Sequence, residues 1–162
     1  MKLAAPTQAW RACCACCAFL LLLVLTISTA AAQTSHAAPL QLAREAEVVE
    51  AWPAVTVLQD ADSRLDAAAA LAAPERFARP RTAYASLGMQ PGTTWIRIPV
   101  SVPKDATNGW VMQIDYALLD EVDVHIAGSD GLRRVATLGR MQQPSGDALK
   151  GRVPAAVLRF IP

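Results

Sequence analysis

Cysteine is missing from everything after residue 17. All four cysteines, Cys13, Cys14, Cys16 and Cys17, fall within one apolar stretch, so the remainder holds no disulfide and must be stabilised by packing alone. The CCACC run makes a poor metal site, because zinc-binding thiolates converge from polar, folded loops whereas these open a hydrophobic segment. Histidine is scarce as well, with only His36 and His125. A transition-metal site built on one imidazole would need carboxylates alone to complete it, and no metal or other cofactor is expected.

An excess of charge of one sign is also lacking. Taking Lys2 and Arg11 from the 15 basic residues leaves 13 against 14 acids, all beyond the N-terminal stretch. A near-neutral surface without a basic stripe exerts no pull on phosphates, which argues against nucleic acid as a partner. The P-loop, G-x-G-x-x-G and G-x-S-x-G signatures are absent, and no carboxylate pair sits in a glycosidase-like context, so an enzyme is not expected. No internal repeat or heptad is found, and beyond Ala32 no apolar run approaches membrane-spanning length.

What is present divides the chain unevenly. Lys2 and Arg11 precede an apolar run from Ala12 to Ala32, the pattern of an export signal, with Ala30-Ala31-Ala32 offering small residues for cleavage. Residues 1–32 are therefore read as a signal peptide, or as an anchor if uncleaved. Residues 33–47 read as a flexible leader, and 48–162 as one exported domain, cut off before further segments because the last apolar stretch is scarcely finished at Pro162.

Within that domain, Ala54 to Leu58 reads as a short strand and Gln59 to Ser63 as a polar turn. Leu65 to Ala73 has high helix propensity and stops at Pro74, with Asp62 or Ser63 as a cap. Pro74 to Pro91 is an irregular connection that plugs Phe77 or Tyr84 into the core. From Thr93 onward, apolar and polar residues alternate in three successive segments, which is how an antiparallel sheet is written. In the first, Thr94, Ile96, Ile98 and Val100 share one face, expected inward, and Trp95, Arg97 and Pro99 the other. Pro99 lacks an N–H for the ladder and should sit at an edge, a bulge or an unpaired position. In the second, Trp110, Met112, Ile114 and Tyr116 face inward against Val111, Gln113 and Asp115. In the third, Val122, Val124 and Ile126 alternate with Asp123 and His125, and Gly128-Ser129-Asp130-Gly131 forms a tight hairpin into Leu132 to Leu138.

These residues resemble a known family, the second type of extracellular domain in bacterial seven-transmembrane receptors with diverse intracellular signalling modules. The likeness rests on Trp95-Ile96-Arg97-Ile98, Trp110 to Tyr116, Leu119-Asp120-Glu121-Val122-Asp123-Val124-His125, Gly139-Arg140 and Arg152-Val153-Pro154, in that order, and extends over Val48 to Pro162. His125 departs from the tyrosine usual there. The resemblance implies an all-β fold, a jelly-roll-like antiparallel β-sandwich with one short helix. It further implies a periplasmic sensor domain ahead of a seven-helix membrane region and a cytoplasmic output domain such as a diguanylate cyclase or histidine kinase, both absent here.

With the Ile and Val faces inward, Trp95, Arg97, Gln113, Asp115, Asp123 and His125 would line an open face on neighbouring strands. An aromatic ring beside hydrogen-bonding groups suits a sugar, whose C–H face stacks while its hydroxyls are bonded. The plainer reading covers Trp95 with a loop and pairs Arg97 with Asp115 across strands. Asp120 is expected to accept backbone N–H bonds in a turn. The sequence therefore predicts a ligand-binding sensor domain for a small molecule or carbohydrate. The alternatives are an exported protein-interaction β-sandwich without small ligand and a secreted carbohydrate-binding accessory module.

Overall fold

In the computed structural model, residues 37–43, 47–81, 87–104 and 109–160 are described. The segment 1–32, read from the sequence as a signal peptide, Tyr84 and residues 105–108 lie outside them. The elements in chain order are β1 (Leu40–Gln41), a 3-10 turn (Trp52–Ala54), β2 (Thr56–Asp60), α1 (Ala67–Leu71), a second 3-10 turn (Pro74–Arg76), β3 (Thr93–Arg97), β4 (Val100–Ser101), β5 (Trp110–Gln113), β6 (Val122–Gly128), β7 (Gly131–Leu138), β8 (Ser145–Gly146), β9 (Ala148–Leu149) and β10 (Ala155–Leu158). Among the described residues the fold is thus mostly β, as the alternation predicts, with one short α-helix where the propensity of Leu65 to Ala73 places it, and no helix is long and apolar enough to cross a membrane.

Two three-stranded antiparallel sheets, β6-β7-β8 and β5-β10-β9, carry the main core. Val124, Ile126, Val135, Ala136 and Leu138 from β6 and β7 pack with Ala156 of β10, and Met112, Val122, Ala148, Leu158 and Phe160 close around them. The β6–β7 hairpin turns through Ser129-Asp130 with Gly128 opposite Gly131. In β6 the faces sort as expected, Val124 and Ile126 buried and Asp123 exposed. Its partner departs from strict alternation: the register steps from Ala136 to Arg134 opposite Val124 and His125, so Val135 is an extra residue. A bulge of this kind lets two successive side chains, Val135 and Ala136, both turn into the core.

The chain crosses between these sheets at Gly146-Asp147. The N–H of Asp147 donates to the Val135 carbonyl at 2.9 Å, and its own carbonyl accepts from Val157 N–H at 2.9 Å. Gly146 has φ 65, and a Cβ there would lie 2.2 Å from the Val135 oxygen, so only glycine fits this corner.

A two-stranded antiparallel pair, β2-β3, and a short parallel pair, β1-β4, complete the described sheets. β2 lies two residues later than the sequence suggests and absorbs Gln59 and Asp60, which leaves the turn to begin at Asp60, whose carbonyl accepts from Ser63 N–H at 3.1 Å. The helix is capped by Asp66, whose carboxylate accepts the Ala69 N–H at 2.7 Å, rather than by Asp62 or Ser63. The flexible leader needs correction over its described part. Leu40 N–H donates to Pro99 O at 2.8 Å and Leu42 N–H to Ser101 O at 3.0 Å, while Ala37 and Leu42 are buried. Small and apolar residues in this segment fill space beside β4, which the alanine-rich composition conceals.

Among the described residues Leu138 is the largest fully buried side chain, at 2% exposure. Leu138→Ala should therefore cost about 2–5 kcal/mol through lost transfer energy and an unfilled cavity. Urea denaturation of the chain checks this, and a loss under about 1 kcal/mol would mean that the β7 core is not packed as described.

Candidate functional site

The strand expected to open a binding face is turned over. Trp95 and Arg97 of β3 are half-buried, whereas Ile96 is 54% exposed and Val100 37%. The cause lies in the partner strand: Leu58 pairs with Trp95, Thr56 with Arg97 and Asp60 with Thr93, and Thr56, Leu58 and Asp60 are all buried. Directly opposed residues share a face, so burying that side of β2 takes Trp95 and Arg97 with it. Pro99 sits in the break between β3 and β4, where its carbonyl still accepts from Leu40 and its missing N–H leaves no orphan donor.

Asp60 is the buried carboxylate of this region, at 7% exposure. Its Oδ2 accepts the Leu65 N–H at 2.8 Å. That bond holds the carboxyl below the usual aspartate range; burial opposes it, while the Arg64 N–H, the Trp95 indole and the Arg76 charge reinforce it. The Trp95 Nε1–H is buried and meets no hydrogen-bond geometry, so its effect on Asp60 is that of a nearby dipole, not of a formed hydrogen bond. Gly92, at φ 71, lets the chain pass so close that a Cβ would lie 2.2 Å from the Asp60 carbonyl oxygen. Together these contacts read as a locked turn feeding α1.

The other expected residues are spread out. Gln113 and Asp115 lie at the end of β5, exposed, without a side-chain hydrogen bond or ion pair among the described residues. Asp123 of β6 is engaged: its carboxylate accepts from Thr137 Oγ1 at 2.7 Å and from Arg134 at 3.2 Å. Burial pulls its pKa up, but these two partners outweigh burial and hold it below the ordinary value. His125, half-buried, stands opposite Arg134 at the bulge. Trp95 and Arg97, Gln113, and Asp123 and His125 thus belong to three different sheets, with Asp115 in the turn just past Gln113. The premise that they lie on neighbouring strands of one face is corrected. The Arg97–Asp115 pair is not formed among the described residues either, and the Arg97 side chain has no partner there.

Sequence reasoning missed Tyr116. Alternation along β5 puts it in the core, yet the strand ends at Gln113, a tight turn follows in which Tyr116 N–H donates to Ile114 O at 2.7 Å, and the ring emerges 56% exposed. The loop then closes through Asp120, whose carboxylate accepts from Arg140 Nε at 2.6 Å, while the Leu119 and Asp120 carbonyls accept from Arg140 and Met141 N–H at 2.9 and 3.1 Å. The Asp120 side chain therefore binds a guanidinium rather than backbone N–H groups. It clips the start of β6 to the end of β7. No three His, Cys, Asp or Glu side chains among the described residues come together as a metal site.

Asp60 supplies a pH test. Because its folded pKa lies below the unfolded value near 3.8, its stabilising contribution is complete above that value and is lost as pH falls through the folded one. Asp60→Asn should lower the melting midpoint at about pH 7, and the gap from the parent chain should narrow below about pH 4, as the unfolded carboxylate and then, at lower pH, the folded one take up a proton. A gap of constant size across that range would show that the ionised form is not what holds the turn.

Neither a curated protein nor a solved structure matches the chain. The model of one family, 7TMR-DISM extracellular 2, matches residues 53–154, from the 3-10 turn before β2 to the residue before β10, and so takes in the β2–β3 pair, the Asp120–Arg140 clip and the Asp147 corner. More than half of the 162 residues are covered, and the chain belongs to the 7TMR-DISM extracellular 2 family, extracellular domains of seven-transmembrane receptors.

Proposed function

We propose that this chain is the periplasmic ligand-sensing domain of a bacterial receptor, exported by the segment 1–32 and joined in the full receptor to seven membrane helices and a cytoplasmic diguanylate cyclase or histidine kinase. The observation that carries the reading is the family match over residues 53–154, supported by the β-rich fold. The arrangement of the strands as a jelly-roll sandwich belongs to the same proposal.

The ligand we assign is a carbohydrate or similarly hydroxyl-rich small molecule, and the site is the rim at the end of β5. There an exposed tyrosine ring, Tyr116, follows closely on the amide of Gln113 and the carboxylate of Asp115, both exposed and without a side-chain partner among the described residues. A ring that stacks on C–H groups beside groups that bond hydroxyls is the chemistry of sugar recognition. Trp95, by contrast, has its indole N–H turned inward, and Asp123 is saturated by Thr137 and Arg134.

A glycan array probed with the chain tests this. Saturable binding is expected, weakened roughly three- to tenfold by Tyr116→Ala through loss of stacking, and unchanged by Thr137→Ala, which removes a hydroxyl from the β7 face. A flat array, or binding indifferent to Tyr116, overturns the rim assignment. The reading as a protein-interaction β-sandwich is favoured by a separate observation on β3.

A further inference from the structure

Among the described residues, one edge of the β3–β4 stretch is open. Val57 of β2 gives both of its backbone groups to Ala78, at 2.8 and 2.9 Å, so it makes no ladder bond to Ile96, the residue opposite it in β3. The hydrogen bonds between β2 and β3 consequently belong to Thr93, Trp95 and Arg97. The same parity continues into β4, where the Pro99 and Ser101 carbonyls accept from Leu40 and Leu42. Thr94, Ile96, Ile98 and Val100 therefore turn their N–H and C=O groups to the opposite edge, and no described strand pairs there.

Natural edges are guarded by charge, proline or bulges. None of these four residues is charged. Pro99 does not guard the edge, because its missing N–H lies on the side already occupied by β1. Ile96 and Val100 are exposed on this edge strand. Exposed, uncharged, apolar edges take up another extended strand.

The sequence indicates which strand. When two copies of Thr94–Ile98 are laid antiparallel about a two-fold axis at Ile96, Ile96 faces the partner's Ile96, Thr94 faces the partner's Ile98, and Trp95 faces the partner's Arg97. The exposed Ile96 is then covered. Arg97, whose side chain has no partner among the described residues, gains an indole face, a favourable cation–aromatic pairing made twice by symmetry. Centring the axis on Arg97 would instead oppose two guanidinium groups, and centring it on Ile98 would leave Arg97 opposite proline. Only the Ile96 register answers both features.

We propose that this chain forms a two-fold homodimer by antiparallel pairing of its Thr94–Ile98 edges, centred on Ile96. The proposal needs no ligand, and the rim at Gln113, Asp115 and Tyr116 lies on another sheet.

The test uses the full chain, with Cys13, Cys14, Cys16 and Cys17 replaced by serine and one cysteine introduced, in mild detergent that accommodates the apolar N-terminal stretch. Under mild oxidation Ile96→Cys should give a disulfide-linked dimer, since directly opposed, hydrogen-bonded residues stand about 5.5 Å apart at Cα, within disulfide range. Thr94→Cys should link to Ile98→Cys in a mixture but not to itself. The highly exposed Val48→Cys serves as the collision control. In sedimentation of the chain with native cysteines kept reduced, Ile96→Lys should weaken association at least about tenfold by opposing like charges and removing apolar burial, and circular dichroism confirms that it folds. Linking of Ile96→Cys no faster than the control, a parent chain monomeric at about 100 micromolar, or a dimer indifferent to Ile96→Lys would each overturn the proposal, as would linking of Ile96→Cys to another polypeptide in preference to itself.

Discussion

Much of this structure depends on a single residue serving two sheets at once. Asp147 donates its N–H to Val135 on β7 and accepts at its carbonyl from Val157 on β10, and its carboxylate pairs with Arg159 just beyond that strand. Two backbone bonds therefore fix the separation of the two sheets at one point, and the side chains at that point must fit. They are correspondingly small: Ala136, Ala148 and Ala156 meet in the core beside Val135. The bulge at Val135 frees the carbonyl that Asp147 uses, and Gly146 lets the backbone come close enough to use it. Bulge, glycine and corner form one device, and no part of it functions without the others.

How much of this could be read beforehand follows from how the burial is written. The β6–β7 hairpin was legible, because Val122, Val124 and Ile126 alternate cleanly with Asp123 and His125 and a glycine-bounded turn follows. The bulge was not, since Val135-Ala136 breaks the alternation that identifies a strand. β3 misled for a different reason. Both of its faces contain apolar residues, and Ile96, Ile98 and Val100 outvote Trp95. The decision lay instead in β2, whose inward face is Thr56, Leu58 and Asp60. A threonine and an aspartate read as solvent-facing unless one knows that Thr56 Oγ1 donates to the Arg97 carbonyl at 3.3 Å and that Asp60 is bonded by Leu65 N–H. Buried polar groups with partners cost little, and those partners cannot be seen in a hydropathy pattern.

The candidate site shifted for the same reason. Six residues chosen by alternation are expected to share a face, but five divide among three sheets because the strands bearing them, β3, β5 and β6, are not hydrogen-bonded to one another, and Asp115 falls in the turn after β5. Alternation assigns a side chain to a face; it does not say which faces adjoin. Tyr116 was lost by the complementary error, extending a strand's period past Gln113 into a turn where that period no longer applies. The resemblance of motifs, in contrast, was informative about contacts: Leu119-Asp120 and Gly139-Arg140, far apart in sequence, are joined by the ion pair and two backbone bonds of one clip.

The position of the β5 rim has a mechanical consequence for any sensing role. β10 runs antiparallel to β5 with Ala155 beside Gln113 and Leu158 beside Trp110, so the rim and Arg159-Phe160 lie at opposite ends of the same strand pair. The Gly128–Gly131 hairpin lies toward the latter end, since Arg133 reaches the Arg159 carbonyl at 2.7 Å. Between the two ends stand Met112, Ala156 and Leu158 in the shared core. A ligand at the rim can influence the far end only if it favours one of two arrangements of this packed stretch over the other; tight binding that leaves both equally populated transmits nothing. Met112 and Leu158 are incompletely buried there, whereas Ala156 is fully enclosed. A side chain with space around it can settle in more than one place, whereas one in close contact on all sides cannot.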